Sequence, residues 1–472
     1  MTQTCTTELI KVTSPIDNSY IDSVNSNTIE DLNNYVKNAE KAFQFWSSKT
    51  HRERAQVLYK YRQLLQENIE ELSLLIQQEN GKTIEESRAE IEKAIEVTEF
   101  ACSIPQICTD KSLEVSSGIH CRISKKPLGV VASITPFNFP SMVPHWTIPI
   151  SIGVGNCLIL KPSELVPLSV FKIANLLKQA GLPDGVFQVI IGKKEMVEAI
   201  CDHKSIKAVS FVGSTKVAKI VYERASKNLK RALCLGGAKN HILVLPDANK
   251  TMTSNNIAAS MSGCAGQRCM AASVMVGVGE IETIVDSIVE EAKNIVPGKN
   301  LGAVISKQAK EKIEDYITQA ENQGATILLD GRHTIVESKE NGFYVGPTVI
   351  DNVTPEMTIA KEEVFGPVLS IIRTKNVDEA ITIQNNSDYG NGASVFTQNG
   401  KWTSYIADRL KAGMIGVNIG VPVPREPFSF GGWDESRFGT GDITGESSIN
   451  FWTQDKKITT KWNPEDKKDW MS

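Results

Sequence analysis

Between Ile29 and about Glu79, apolar residues recur at three- and four-residue spacings, first Ala39, Ala42, Phe43 and Trp46, then Val57, Leu58, Tyr61, Leu64 and Leu65. That periodicity predicts helices with one buried face. A further helix is expected from Thr83 to about Cys102, rich in Glu and Ala, with Pro105 ending or kinking it. From Cys121 to Leu160 the texture changes. The β-branched runs GVVASI and NCLILKP flank PFNFPSMVPHWTIPISIGVG, whose prolines and glycines argue against one continuous helix and for strands that end in loops.

Beyond Leu160 the pattern alternates. A helix over Leu168 to Ala180, the turn GLPDG, the strand VFQVIIG, a helix near Glu195 to His203 and the strand AVSFVG follow one another as βαβ units do. A second alternating set begins at HILVLPDA and includes SVMVGVG, helices over Ile281–Asn294 and Gln308–Gln323, and the strands TILLD and GPVLSIIR. The fold class that follows is α/β, with two Rossmann-like parallel-sheet domains. The segment from Ile449 to Trp462 alternates like an exposed strand, and an edge strand of this kind often pairs with another subunit.

Composition narrows the ligands. A chain of 472 residues, 41% hydrophobic and 22% charged, can bury more than one core. A net charge of -4 gives no electrostatic reason to bind nucleic acid or an anionic membrane, which leaves small molecules. Nine cysteines without a Cys-x-x-Cys pair suit reduced thiols, and neither an apolar leader nor a long apolar span is visible, so a cytoplasmic protein is expected. His145 and His241 lie in apolar or turn segments, no histidine pair has ligand spacing, and no metal is expected.

One cysteine stands out. The segment GCAGQRCMA sets Cys269 in a glycine-flanked loop beside Arg268, a cation that would favour thiolate over thiol. Cys264, five residues earlier, is its competitor. Four other loops, TPFNFP (Thr135 to Pro140), LKPSE (Leu160 to Glu164), FVGST (Phe211 to Thr215) and EEVFGPV (Glu362 to Val368), accompany GQRC (Gly266 to Cys269). In this order and spacing the five motifs resemble the aldehyde dehydrogenase superfamily over essentially the whole chain.

The resemblance implies that Cys269 attacks the aldehyde and that Asn138 donates its side-chain amide to the developing oxyanion. It implies Lys161 and Glu164 on the adenosine ribose of NAD, Ser214 on the pyrophosphate, and Glu363 and Phe365 at the nicotinamide ribose and ring. Thr135, Pro136, Phe137, Ser163, Gly213 and Leu235 would complete the cofactor loops. Lys donates and Glu accepts, so the K-x-x-E spacing suits two vicinal hydroxyls, and Glu164 would repel the extra phosphate of NADP. There is no clean G-x-G-x-x-G, and the amides of the helix opening near Thr215 would face the pyrophosphate instead.

Hydrolytic members carry a water-activating glutamate before the LGG-K motif. Here the segment reads CLGGAKN, with Cys234 in that place. Together with GGAKNH, PVPREPFSF and the NFWTQ tail, this resembles the methylmalonate-semialdehyde dehydrogenase branch, whose acyl acceptor is coenzyme A. Arg268 and Lys93 would hold a substrate carboxylate, Lys93 replacing an arginine, and Phe430, with Phe428 and Trp433, would line the substrate mouth. Glu446 could serve as an alternative base in a non-acylating enzyme. A non-enzymatic binding protein on the same fold is the alternative of another class. The expected division is an NAD-binding domain (1–108 and 128–235), a catalytic domain (236–445) and an oligomerisation element (109–127 and 446–472), assembled as a homodimer or homotetramer.

Overall fold

The computed structural model describes residues 8–462; residues 1–7 and 463–472, which fall in the first and last expected segments, lie outside that range. Two parallel sheets organise it. The first has six strands, ordered Arg437–Gly439, Arg231–Leu235, Ile206–Val212, Val130–Ile134, Cys157–Lys161 and Phe187–Val189. All neighbours run parallel except Arg437–Gly439, which pairs antiparallel with Arg231–Leu235. That edge strand comes from the segment assigned to the catalytic part. The central strands Val130–Ile134 and Cys157–Lys161 are buried at every position, as unbroken apolar runs in a parallel sheet require.

The second sheet has seven strands, ordered Thr326–Leu329, Thr348–Asp351, Val368–Thr374, Ala272–Val278, Asn240–Val244, Gly392–Phe396 and Met414–Val417. Only its first pair is antiparallel. A separate antiparallel sheet joins Thr453–Lys461, Ile119–Pro127 and Lys111–Ser116. The expected terminal strand therefore begins later, because Gly445–Phe451 is helical.

Helices Ile29–Trp46, His51–Glu67 and Ile84–Cys102 each begin with a threonine capping box, using Thr28 with Asp31, Thr50 with Glu53 and Thr83 with Glu86. The second and third of them pack on a helix the proline-rich texture did not predict. Met142–Gly153 is helical despite Pro149 within it, and it is buried from Val143 onward. Pro144 falls in its first turn, where the missing N–H costs nothing. Its last carbonyls are satisfied from outside: Arg54 Nε donates to Gly153 O at 2.8 Å and the Trp46 indole to Ile152 O at 2.9 Å. A buried cation at a helix C-terminus also meets the negative end of its dipole. Among the described residues, no helix is long and apolar enough to cross a membrane.

Candidate active site

The C-terminal ends of the first sheet's strands meet segments that lead into the second sheet's strands, as the hydrogen bond between Asn138 and Gln267 records. The first sheet contributes loops at the C-terminal ends of its strands: Thr135 to Pro140 after Val130–Ile134, Pro162 to Glu164 after Cys157–Lys161, and Gly213 and Ser214 after Ile206–Val212. The second sheet contributes residues just before its strands, namely Cys269, Glu363 and Asn391. In the first sheet, later strands extend to both sides of Val130–Ile134, so the chain reverses its winding there, where open α/β sheets bind ligands.

Cys269 follows a left-handed stretch. Cys264, Ala265 and Gly266 have φ of 51°, 53° and 72°, a conformation that costs side-chain-bearing residues about 1 kcal/mol each. The Cys264 N–H donates to Glu86, and Arg268 Nε donates to Cys264 Sγ at 3.4 Å. On the other side of the sulfur, the Cys269 carbonyl accepts side-chain amides of Asn240 and Asn391, both at 2.8 Å. The loop is thus fixed on both sides of the sulfur.

Asn138 is anchored to this loop. Its Nδ2 donates to Gln267 O at 2.9 Å, two residues before Cys269, leaving its second amide hydrogen for another acceptor. Its own carbonyl accepts from Lys82 Nζ at 2.8 Å, and the Phe137 carbonyl accepts from Asn80 Nδ2 at 2.8 Å. Glu90 completes the support, taking Lys82 on one oxygen at 2.5 Å and the N–H groups of Ser141 and Met142 on the other at 2.7 and 3.0 Å.

The expectation that Arg268 holds Cys269 as thiolate is corrected. Burial and the nearby Glu363 carboxylate push the Cys269 thiol up to about 12, outweighing Arg268 and the N–H groups of Cys269 and Met270. Arg268 directs its charge chiefly to Cys264 and Glu86 instead. Burial likewise pushes the Glu363 carboxyl up to about 7, although it accepts the Ala238 N–H at 3.1 Å. Lys239, deeply buried beside Glu363, has no hydrogen-bond partner for its Nζ, and burial pulls it down to about 7.

Most residues expected to hold NAD lie at the C-terminal ends of neighbouring strands of the first sheet, and Glu363 and Phe365 come from the second. Lys161 Nζ lies 3.2 Å from Glu164 Oε2, and the Thr135 N–H donates to the Lys161 carbonyl at 3.0 Å. Ser163 Oγ accepts the Leu165 N–H at 3.3 Å, shaping the turn that carries Glu164. Gly213 N–H donates to Leu235 O at 3.1 Å, and Gly237 N–H to Thr215 Oγ1 at 2.8 Å. Phe365, at φ 56°, packs edge-on against Phe137 with ring centroids 5.9 Å apart. Pro136 sits between Thr135 and Phe137 on the same loop. Two observations fit a dinucleotide. Thr135 Oγ1 is buried without a partner, and the helix Thr215–Lys227 has no acidic residue in its first turn, while its N-cap Ser214 makes no side-chain cap bond.

A cavity of about 430 Å³ opens beside the sulfur, lined by Cys269, Phe139, Trp146, Phe430, Lys93 and Arg268 among others. Phe430 is buried against Trp146, with ring centroids 4.6 Å apart. The other two aromatic residues of the expected mouth are placed elsewhere. Phe428 lines a separate surface hollow with Glu446, and Trp433 is half exposed on a two-residue strand beside Tyr389 and Gly390. Lys93 does line the cavity, yet its Nζ is bound to Glu426 at 2.8 Å and Glu96 at 3.0 Å. Cys234 is buried in its strand and burial pushes its thiol well up.

Several site residues escaped the sequence reading. Lys82 and Glu90 are eight residues apart on and just before a helix with no motif, and Asn240, Asn391 and Glu426 come from distant segments. Only the GGAKNH run around Asn240 and the PVPREPFSF run around Glu426 offered a signal.

A model of the aldehyde dehydrogenase family matches residues 1–458. The chain is similar to malonate-semialdehyde dehydrogenase of Halalkalibacterium halodurans, 43% identical over 92% of this chain and 90% of the relative. It is also similar to malonate-semialdehyde dehydrogenase 2 of Bacillus thuringiensis, 42% identical over 98% and 96%. Among solved structures, methylmalonate-semialdehyde dehydrogenase from Oceanimonas doudoroffii superposes with a TM-score of 0.95 at 40% identity, covering 98% of this chain and 96% of that one.

A Sinorhizobium meliloti structure described as a putative methylmalonate-semialdehyde dehydrogenase complexed with NAD gives a TM-score of 0.95 at 39% identity, with the same coverage.

Proposed function

The chain belongs to the aldehyde dehydrogenase family, and we propose that it oxidises an aldehyde with NAD through a thioester on Cys269 and passes the acyl group to coenzyme A. The observation that carries this is the Asn138 amide tied to the Gln267 carbonyl, within the loop of a cysteine that opens on a cavity.

The thiol of Cys269 is neutral at rest, so it gives its proton to solvent water as the sulfur adds to the carbonyl carbon and the carbonyl π bond breaks toward oxygen. The free amide hydrogen of Asn138 and the Cys269 N–H then receive the negative charge growing on oxygen. Held donors of this kind need no reorganisation in the transition state, and one is typically worth a factor of about 10²–10³. Bound NAD supplies the hydride acceptor. Lys161 and Glu164 would hold its adenosine ribose, Ser214 and the amides after it the pyrophosphate, and Glu363, Phe365 and Thr135 the nicotinamide end. Glu164 favours NAD over NADP by repulsion.

Two observations support a thiol acceptor over water. Cys234 supplies no carboxylate to activate water, and Glu446 lines a different hollow from Cys269. Coenzyme A brings its own strong nucleophile. The relatives' names, malonate- and methylmalonate-semialdehyde dehydrogenase, support this branch. The exposed strand Lys111–Ser116 at the edge of the three-stranded sheet supports self-association into a homodimer or homotetramer.

The test is NADH formation with an aldehyde panel, with and without coenzyme A, alongside mass detection of acyl-CoA. Cys269→Ser should abolish it. NADH formation indifferent to coenzyme A, with free acid as product, would remove the acyl-transfer step.

A further inference from the structure

We propose that Lys239 is a positioning residue for the cofactor end of the site: its ammonium, acting across space, keeps Glu363 ionised as the acceptor for the nicotinamide ribose. This rests on the reading of Glu363 as that acceptor, and it gives a role to a buried lysine that the reaction does not otherwise use.

Three consecutive residues join the cofactor carboxylate to the nucleophile. The Ala238 N–H donates to Glu363 Oε1 at 3.1 Å, and the Asn240 side chain donates to the Cys269 carbonyl at 2.8 Å. Between them stands Lys239, 2% exposed, whose Nζ meets no acceptor among the described residues. The backbone on both sides of it is held. A Cβ on Gly237 would lie 2.5 Å from Glu363 Oε2, the Gly237 carbonyl accepts from Ser436 Oγ at 2.8 Å, and the Lys239 carbonyl accepts from His241 Nδ1 at 2.8 Å.

An ammonium buried without an acceptor is costly, and what offsets that cost is a nearby anion. Two carboxylates act on Lys239, Glu363 more than Glu362. Glu362 is exposed and already receives the Tyr316 hydroxyl, so solvent screens it. Glu363 in turn feels two cations, Lys239 ahead of Lys312, and Lys312 is exposed over the Tyr316 ring. The remaining titratable neighbours, Cys269, Tyr389 and His241, are neutral near pH 7. Lys239 is therefore the main fixed cation that opposes protonation of Glu363. Burial brings the two groups to about 7 from opposite sides, so one proton decides the charge of each near neutrality. An ionised carboxylate accepts from both vicinal ribose hydroxyls, and a protonated one loses part of that capacity.

The test is isothermal titration of the full-length protein with NAD between about pH 6 and 9. Wild-type affinity should fall as pH drops through about 7. Lys239→Met should move that fall up by about one pH unit or more, weakening NAD binding about fivefold at neutral pH and little at about pH 9. Where Lys239→Met fails to fold, Lys239→Gln, which keeps a donor without the charge, should show the same shift. Glu363→Gln should abolish the fall with Lys239 intact. A profile left unshifted by removal of the Lys239 charge, or a loss equal at every pH, would overturn the proposal while leaving Glu363 as the acceptor. A fall that survives Glu363→Gln would overturn the reading of Glu363 and the proposal with it. No NAD binding by the wild type at any pH would overturn the cofactor reading of the whole site.

Discussion

Lys82 Nζ and Glu90 Oε2 lie 2.5 Å apart with side chains 1% and 0% exposed, and between them they hold the Asn138 carbonyl and the N–H groups of Ser141 and Met142. A buried pair adds little net stability over apolar residues of the same volume, but removing one partner strands a charge. Lys82→Met is therefore expected to cost about 3–5 kcal/mol of unfolding free energy. The double variant Lys82→Met with Glu90→Leu should recover much of that loss while remaining catalytically poor, because the Asn138 loop loses its anchors. Denaturant unfolding and kcat on the same preparations check both halves. A double variant with full kcat would refute the positioning role.

Asn138 itself is expected to act on the transition state more than on binding. Asn138→Ala removes one oxyanion donor, so kcat should fall about 10²–10³-fold. The KM for aldehyde should change far less. Asn138→Asp should be worse than Ala, since it points a carboxylate at a developing negative charge. A variant whose loss lies wholly in KM would place Asn138 in ground-state binding instead.

The Cys269 thiol, pushed up to about 12 by burial and Glu363, should be slow to alkylate near neutrality in the absence of NAD. Because the thiolate is the reactive form, iodoacetamide labelling should climb steadily between about pH 7 and 10 with no plateau. Glu363→Gln removes the neighbouring negative charge, so the thiol pKa falls and labelling at a given pH quickens. A plateau near neutral pH in the wild type would contradict this environment.

His145 gives stability an acid edge. It is buried, with Nε2 2.7 Å from the Tyr61 hydroxyl and Nδ1 donating to Ser141 O at 2.7 Å, and burial pulls it down to about 4. His241, also buried, is pulled down to about 4. An unfolded histidine titrates near about 6.5, so the unfolded chain takes up protons first as pH falls. The stability gained from keeping these rings neutral is complete above that value and is lost as pH falls through about 4. Melting temperature should decline across that window, and His145→Gln should decline less steeply. Equal slopes would exclude His145 as a source.

Much of the fold was legible because its signals are local. Helical periodicity from Ile29 to about Glu79 and from Thr83 marks helices that the structure contains, and buried parallel strands read as apolar runs at Val130 and Cys157. Met142–Gly153 was misread because its buried setting overrides the penalty of Pro149. Candidate residues such as Asn138 and Lys161 stood out where one short motif carries both backbone and side-chain chemistry. It was illegible where the partner comes from far along the chain. Lys93 is recognisable as a cation on a helix, but Glu426, which neutralises it, lies 333 residues away. Sequence spacing offers no means of pairing them.

Gly266 joins the loop of Cys269 to the loop that carries Glu363 and Phe365. Its φ is +72°, and a Cβ there would lie 2.0 Å from the backbone carbon and oxygen of Gly366, next to Phe365 and three residues from Glu363. Gly266→Ala therefore combines backbone strain with a clash against main chain that cannot rotate away, and about 2–4 kcal/mol of destabilisation is expected. The two loops must separate to admit the methyl group. Cys269 alkylation and NAD affinity should then change together, with NAD binding weakened about tenfold or more as Phe365 and Glu363 shift. Isothermal titration with NAD, run beside iodoacetamide labelling, reads both. A folded Gly266→Ala variant with altered labelling and unchanged NAD affinity would show that the two loops move independently.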